Sequence, residues 1–283
     1  MNLNDRALLV QLSVSQWTAR KYDKKVTQDI AIANHTTMDA GRYNKALLPM
    51  NDSLDNVHKK TTYIRTKFYD NTLPWGIEGT MMLPTANYLN FMTEFRREHN
   101  EWEHLVNVFL IDYPTLVDNA KRVLNNMYND DDYPSVDVIK DKFKMDMAIF
   151  PVPSTDFRVQ IASDELTRIQ QDVEVRVKQA QQKAITEVWT RLYDRVKNMA
   201  DKLADPKSIF RDTLVENLRE QCNMLSRLNF TDDPNLETMR QQVEDSLLKH
   251  PEALRNTPDL RSDTALEAKS IMDKMSVFMG GMV

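Results

Sequence analysis

The stretch "SDELTRIQQDVEVRVKQAQQKAITEVWTRLYDRVKNMADKLA", residues 163–204, decides the fold. Leu166, Ile169, Val173, Val177, Ala180, Ala184, Val188, Leu192, Val196, Met199 and Leu203 recur through it at steps of three and four. Their mean step, near 3.7 residues, is that of a straight helix rather than of the 3.5-residue repeat of a left-handed coiled coil. Ser163 serves as the cap and Asp164 and Glu165 supply acid in the first turn, and no proline or glycine intervenes before Pro206. A helix of ~40 residues is a rod of roughly 60 Å. Its apolar stripe needs a cover, from downstream helices expected at 207–229 and 234–249 or from a second chain.

Helical signals also precede the rod. Leu54, Val57, Thr61, Ile64 and Phe68 define an amphipathic helix over 53–68 with a basic exterior. Tyr88, Met92, Phe95, His99, Trp102, Val106 and Phe109 form a heptad-like seam over 85–112. Pro114 and Pro134 are each expected to open a shorter helix. Strand alternation occurs at Val10, Leu12 and Val14, again from Phe143 to Ile149, and in Phe157, Val159 and Ile161 after "PVPSTD". The expected fold is mainly α (α+β): a helical bundle built on the long helix, with a small antiparallel sheet that includes a hairpin over 143–161. Residues 1–250 read as one domain with a basic head at 1–70, residues 251–262 as a linker, and 263–283 as a C-terminal helical arm.

Composition narrows the class of function. Across 283 residues, 41% are hydrophobic and 28% charged, proportions of a folded globular chain. Five glycines are too few for a many-turned β-protein or a glycine-rich nucleotide fold, and the single Cys222 excludes an internal disulfide framework. The longest apolar run, "LVNVFLI" at 105–111, is far short of the ~20 residues that cross a bilayer. With no signal-peptide pattern at the start, the expected location is the cytoplasm, with no membrane partner. Net charge is −5, yet residues 1–70 carry eleven Lys and Arg against seven Asp and Glu, so the balance of the chain is −9.

Chemical motifs are sparse. In "EHNEWEH" (98–104) the two histidines stand five apart, about 140° around a helix, which does not suit a shared metal; Glu101 and His104 form one Glu-x-x-His pair with no second. "YNDDDYP" (128–134) lacks the glycine and alternating carboxylates of a calcium loop and reads as a solvated turn. Cys222 reads as a structural thiol, and neither phosphate-loop nor nucleophile-elbow motifs occur. No catalytic residue, metal, cofactor or small-molecule substrate is expected; a metal hydrolase whose site is assembled in space from distant carboxylates is the third reading. The head offers cations among aromatic rings instead: Trp17, Arg20, Lys21, Tyr22, Lys24, Lys25, Arg42, Tyr43, Lys59, Lys60, Arg65 and Lys67. Such a mixture can hold single-stranded DNA, cations on the backbone and rings beneath the bases, or it can be a protein-binding surface.

Five stretches, "QWTARKYDKK", "DAGRYNKALLP", "TLPWGIEGTMMLPTANY", "FPVPSTDFRVQI" and "FRDTLVENLRE", resemble a family of phage and bacterial proteins classed as a domain of unknown function. The resemblance runs over most of residues 8–250. Genes of that family often lie near those of a MoxR-type AAA+ ATPase and a von Willebrand A-domain protein. The resemblance therefore implies an accessory role in an ATP-driven remodelling assembly in the host cytoplasm, and it carries over no catalytic residue. The leading expectation is a non-enzymatic phage-type interaction or adaptor protein that forms or joins an oligomer. A single-stranded DNA-binding protein is the alternative.

Overall fold

Alternating apolar residues at the start of the chain and long 3.6-residue patterns after it yield a mainly α structure with a small antiparallel sheet. The computed structural model describes residues 3–154 and 163–280. In chain order its elements are β1 (Ala7–Ser15), β2 (Arg20–Tyr22), α1 (Lys24–Ala33), β3 (Asn44–Ala46), α2 (Asp52–Asn71), β4 (Leu73–Pro74), β5 (Met81–Pro84), α3 (Thr85–Leu124), α4 (Val136–Lys140) and β6 (Lys144–Pro151). Then come α5 (Ser163–Ala204), α6 (Thr213–Leu228), α7 (Pro234–Leu247), α8 (Pro251–Asn256) and α9 (Pro258–Gly280). Four strands pair in the order β4-β5-β1-β6, and β2 pairs with β3 in a separate ribbon. The hairpin strand expected from Phe157 to Ile161 lies outside the described residues.

The chain divides into two compact units rather than one. The first comprises Met1–Gln11, Lys67–Met92 and Ala148–Val283; the second comprises Leu12–Thr66 and Thr93–Met147. The division passes through β1, α2, α3 and β6. A basic head of residues 1–70 is thus not a structural unit, since both of its ends belong with the first.

The first unit is built on α5 as its period demands. From Ala180 onward the stripe is core: Val188, Leu192, Val196, Met199 and Leu203 share a cluster with Leu218, Cys222 and Leu225 of α6, Leu236 and Val243 of α7, and Ile271 and Met275 of α9. Trp189 stacks on Phe278 with centroids 5.5 Å apart and donates its indole N–H to Asp233 at 3.2 Å. Asp233 also caps α7 ahead of Pro234, accepting from the Asn235 N–H at 2.9 Å. The sheet's contribution is local: β5 meets β1 with Ala7 opposite Pro84 and Val10 opposite Met81, and Leu73 of β4 stands opposite Met82. The turn between β4 and β5 places Gly76 and Gly79 at φ 90° and 74°, a region that disfavours any side chain. Arg191 of α5 closes the end of α2 by donating to the carbonyls of Asp70 and Thr72, both at 2.9 Å.

The expected linker and detachable arm are instead two helices. Residues 251–262 form α8 and the opening of α9, because Pro251 and Pro258 stand at first helical positions instead of breaking the chain. Ala265, Ala268, Ile271 and Met275 are buried in the α5 cluster, so α9 is part of the core and not a detachable arm. The helix expected at 207–229 begins only at Thr213.

The second unit packs α2 against α3. Leu54, Val57 and Ile64 meet Trp102, Val106, Phe109 and Tyr113, joined by Leu47, Leu48, Ile139 and Phe143. The Trp102 indole donates to Thr61 Oγ1 at 2.9 Å, which satisfies both groups in a buried place. Pro114 starts no helix; α3 runs through it to Leu124. It sits on an exposed face, where water can serve the Leu110 carbonyl deprived of its usual N–H partner. Pro134 likewise precedes α4 by two residues, with Ser135 at the cap position.

Candidate interaction surface

Two three-residue strands organise the predicted head. β2 and β3 pair antiparallel with Arg20 opposite Ala46, Lys21 opposite Lys45 and Tyr22 opposite Asn44. Strand alternation sends Lys21 and Lys45 to one face and Arg20 and Tyr22 to the other. Two ammonium groups directly opposite would repel. The structure answers with Asp132, whose Oδ1 lies 2.5 Å from Lys21 Nζ and whose Oδ2 lies 2.7 Å from Lys45 Nζ. Both Asp132 and Lys45 are buried, and Lys45 also donates to the Met127 carbonyl at 2.6 Å. Burial alone would push the Asp132 carboxyl up; hydrogen bonds and charge from Lys21 and Lys45 outweigh it and hold the group below the usual carboxylate range. Next to it, Tyr133 stacks on Tyr128 at 4.9 Å and donates its hydroxyl to the Leu47 carbonyl at 2.8 Å. The turn read as wholly solvated is therefore half structural: Asp131 is exposed, whereas Asp132 is the keystone of the ribbon.

On the ribbon's outer face Tyr22 is 42% exposed and the Arg42 guanidinium lies 6.0 Å from its ring centroid. Asp23 caps α1 by accepting from the Val26 N–H at 3.0 Å. The helix is tied to the ribbon by Asp23 N–H donating to the Tyr43 carbonyl and Tyr43 N–H donating to Thr27 Oγ1, each at 3.0 Å. Beside α1 opens a pocket of about 300 Å³ lined by Thr27, Ile30, Ala31, Asn34, Arg42 and Tyr43 among others. Arg20, Lys24 and Lys25 are exposed nearby in sequence and form no ion pair with a described residue.

The remaining predicted residues are not brought to this face. Trp17 is half-buried and packs against the core, its ring 6.2 Å from Phe109 and 5.7 Å from Tyr113, and its carbonyl bonds the His58 ring at 3.0 Å. Lys60 is held by Glu98 and by Glu101, the latter at 2.5 Å, while Arg97 bonds Glu98 at 2.6 Å. Burial works against ionisation of Glu98, but Lys60 and Arg97 together hold its carboxyl low. Lys59 and Arg65 are exposed on α2. Lys67 belongs to the first unit, in a polar cleft of about 460 Å³ with Arg195, Glu220 and Gln221. Asp132 and Glu98 were the residues missed; each became visible only when distant segments met.

His99 occupies the seam as a bonded core histidine, its ring 5.8 Å from Phe95 and 5.9 Å from Trp102, with Nε2 3.3 Å from the Met145 carbonyl. Among the described residues no group of three or more His, Cys, Asp and Glu side chains is placed to hold a metal ion. Burial pushes the Cys222 thiol up to about 12, which leaves it a packing residue at neutral pH. No described helix is long and apolar enough to cross a membrane. Comparison with protein-family models, curated proteins and solved structures finds no match.

Proposed function

We propose that this protein is a non-enzymatic interaction protein, an adaptor that forms or joins an oligomeric assembly. The observation that carries the reading is a change along α5 at Ala180. Beyond that point the stripe is buried, but Leu166, Ile169 and Val173 repeat the same spacing with none of them in the core. Residues 163–176 thus offer ~20 Å of half-buried apolar seam outside that cluster, Val177 being the first side chain of the stripe to pack against it. The charged side chains beside it are already paired within the helix, Arg168 with Glu165, Arg176 with Asp172 and Lys178 with Glu174, so the apolar stripe and not its charge would carry association. The resemblance to the phage and bacterial family extends the reading to a MoxR-type AAA+ ATPase as the machine served.

Light scattering on the full chain tests it. Self-association in the micromolar range, abolished by Ile169→Glu with Val173→Glu at unchanged helicity, is the expected result. A monomer at all concentrations that also captures no ATPase would refute it. A second reading, single-stranded DNA binding, draws support from the exposed cations Arg20, Lys24, Lys25, Arg42, Lys59 and Arg65. It requires oligonucleotide affinity that falls with salt by a slope of about −0.7 per phosphate contacted.

A further inference from the structure

We propose that the outer face of the β2–β3 ribbon, with the pocket beside α1, docks an acidic peptide segment that inserts one aromatic or aliphatic side chain. The site is separate from the α5 seam and stands or falls independently of it. Three observations meet here. The pocket of about 300 Å³ is at the small end of the range for ligand sites, so it suits a side chain better than a cofactor-sized molecule. Its walls include Ile30, 47% exposed, and Tyr43, 37% exposed, apolar surface that nothing in the second unit covers among the described residues.

Charge then selects the partner. Lys24 stands one helical turn before Thr27 on the pocket-lining face of α1, Arg42 lines the pocket itself, and Arg20 and Lys25 extend the cationic field. Asp23, which caps α1, with Asp29 and Asp39 gives three carboxylates in this segment against those four cations. An approaching anionic chain is favoured.

The ribbon's inner face already shows the same chemistry within one molecule. There Lys21 and Lys45 grip Asp132 while the adjoining Tyr133 inserts and bonds the Leu47 carbonyl. An acid followed by an aromatic residue is what this ribbon demonstrably holds. Single-stranded DNA is the weaker occupant, because base stacking wants open rings in series. Trp17 is engaged by Phe109 and Tyr113, and Arg42 already lies over Tyr22.

The test is fluorescence anisotropy of the full chain with a labelled peptide of repeated Asp-Asp-Tyr triplets at about 50 mM salt. Saturable binding is expected with a midpoint on the order of 10–100 μM, as befits a small, partly polar contact. Lys24→Glu with Arg42→Glu should weaken it at least about tenfold and Tyr43→Ala about fivefold, while Lys59→Glu, off the site, leaves it unchanged. A peptide with asparagine in place of aspartate should lose most binding. Circular dichroism confirms that each variant remains folded. The proposal is overturned by absence of saturable binding at about 1 mM peptide, by equal loss in the Lys59 variant, or by tighter binding of a single-stranded oligonucleotide of about thirty bases through the same residues.

Discussion

The first unit holds itself together with aliphatic helix faces, and the second with aromatic rings and buried charge. Around α5 the core is chiefly Val, Leu, Met and Ile contributed by four helices, with Trp189 among them, and the pairs Arg191–Glu187 and Arg240–Glu237 each join a largely enclosed arginine to a glutamate more than a third exposed. Around α3 the core centres on Trp102, Phe109 and Tyr113, and its edge is closed by Asp132 with Lys45 and by Glu98 with Lys60. Aliphatic packing degrades gradually when trimmed, because each group contributes its own burial. A buried ion pair fails abruptly, since removal of one partner strands the other.

The largest effect should come from deleting residues after Thr257. Without α9 the α5 stripe loses Ala268, Ile271 and Met275, and hydrogen exchange should show protection lost across 180–203. An unchanged melting curve would restore the reading of this segment as an arm. Next, Asp132→Asn should cost about 3–5 kcal/mol in chemical denaturation because Lys45 stays buried without its partner, and a second change, Lys45→Met, should recover much of it.

Acid should separate the units as well. Asp132 and Glu98 both have folded-state pKa values below their unfolded ones. Their stabilisation is therefore fully present above the unfolded values of about 3.9 and 4.3 and is lost as pH falls through the folded ones. Tryptophan fluorescence should report a loosening of the second unit below about pH 4, shallower in the Asp132→Asn variant. A milder break is Thr61→Val, which leaves the Trp102 indole N–H unpaired at a cost of about 1–3 kcal/mol. Smallest of all, Arg42→Gln should move stability by no more than about 0.5 kcal/mol, since the side chain is exposed.

How much of this was legible follows from the same contrast. The range 163–204, the buried face of α2 and the start of α7 could be read because period and capping are local properties. Pro251 and Pro258 misled because proline marks both a break and a beginning, and only the burial of Ile271 decides between them. Pro114 misled in the opposite sense: a solvent-facing position tolerates what an interior one does not. The β2–β3 ribbon is too short to show alternation, and Asp132 looks like its exposed neighbours until Lys21 and Lys45, more than eighty positions upstream, arrive beside it. Of the twelve predicted surface residues, Arg20, Tyr22, Lys24, Lys25, Arg42 and Tyr43 do gather, because Asp23 ties α1 to the ribbon through Tyr43, whereas Lys21 turns to the inner face and Asp132.

Synthesis on the ribosome gives one contact a further meaning. Arg261 donates from its guanidinium to the carbonyls of Lys202, Leu203, Asp205 and Ser208 at the end of α5. It follows Leu203 by 58 residues, which at roughly 5–20 residues per second is about 3–12 s of elongation. Throughout that interval the nascent α5 has neither its terminal carbonyls engaged nor its stripe covered by α9. The rod is thus a temporary client for any holdase near the exit tunnel, and a slow codon cluster between these two points would lengthen that dependence.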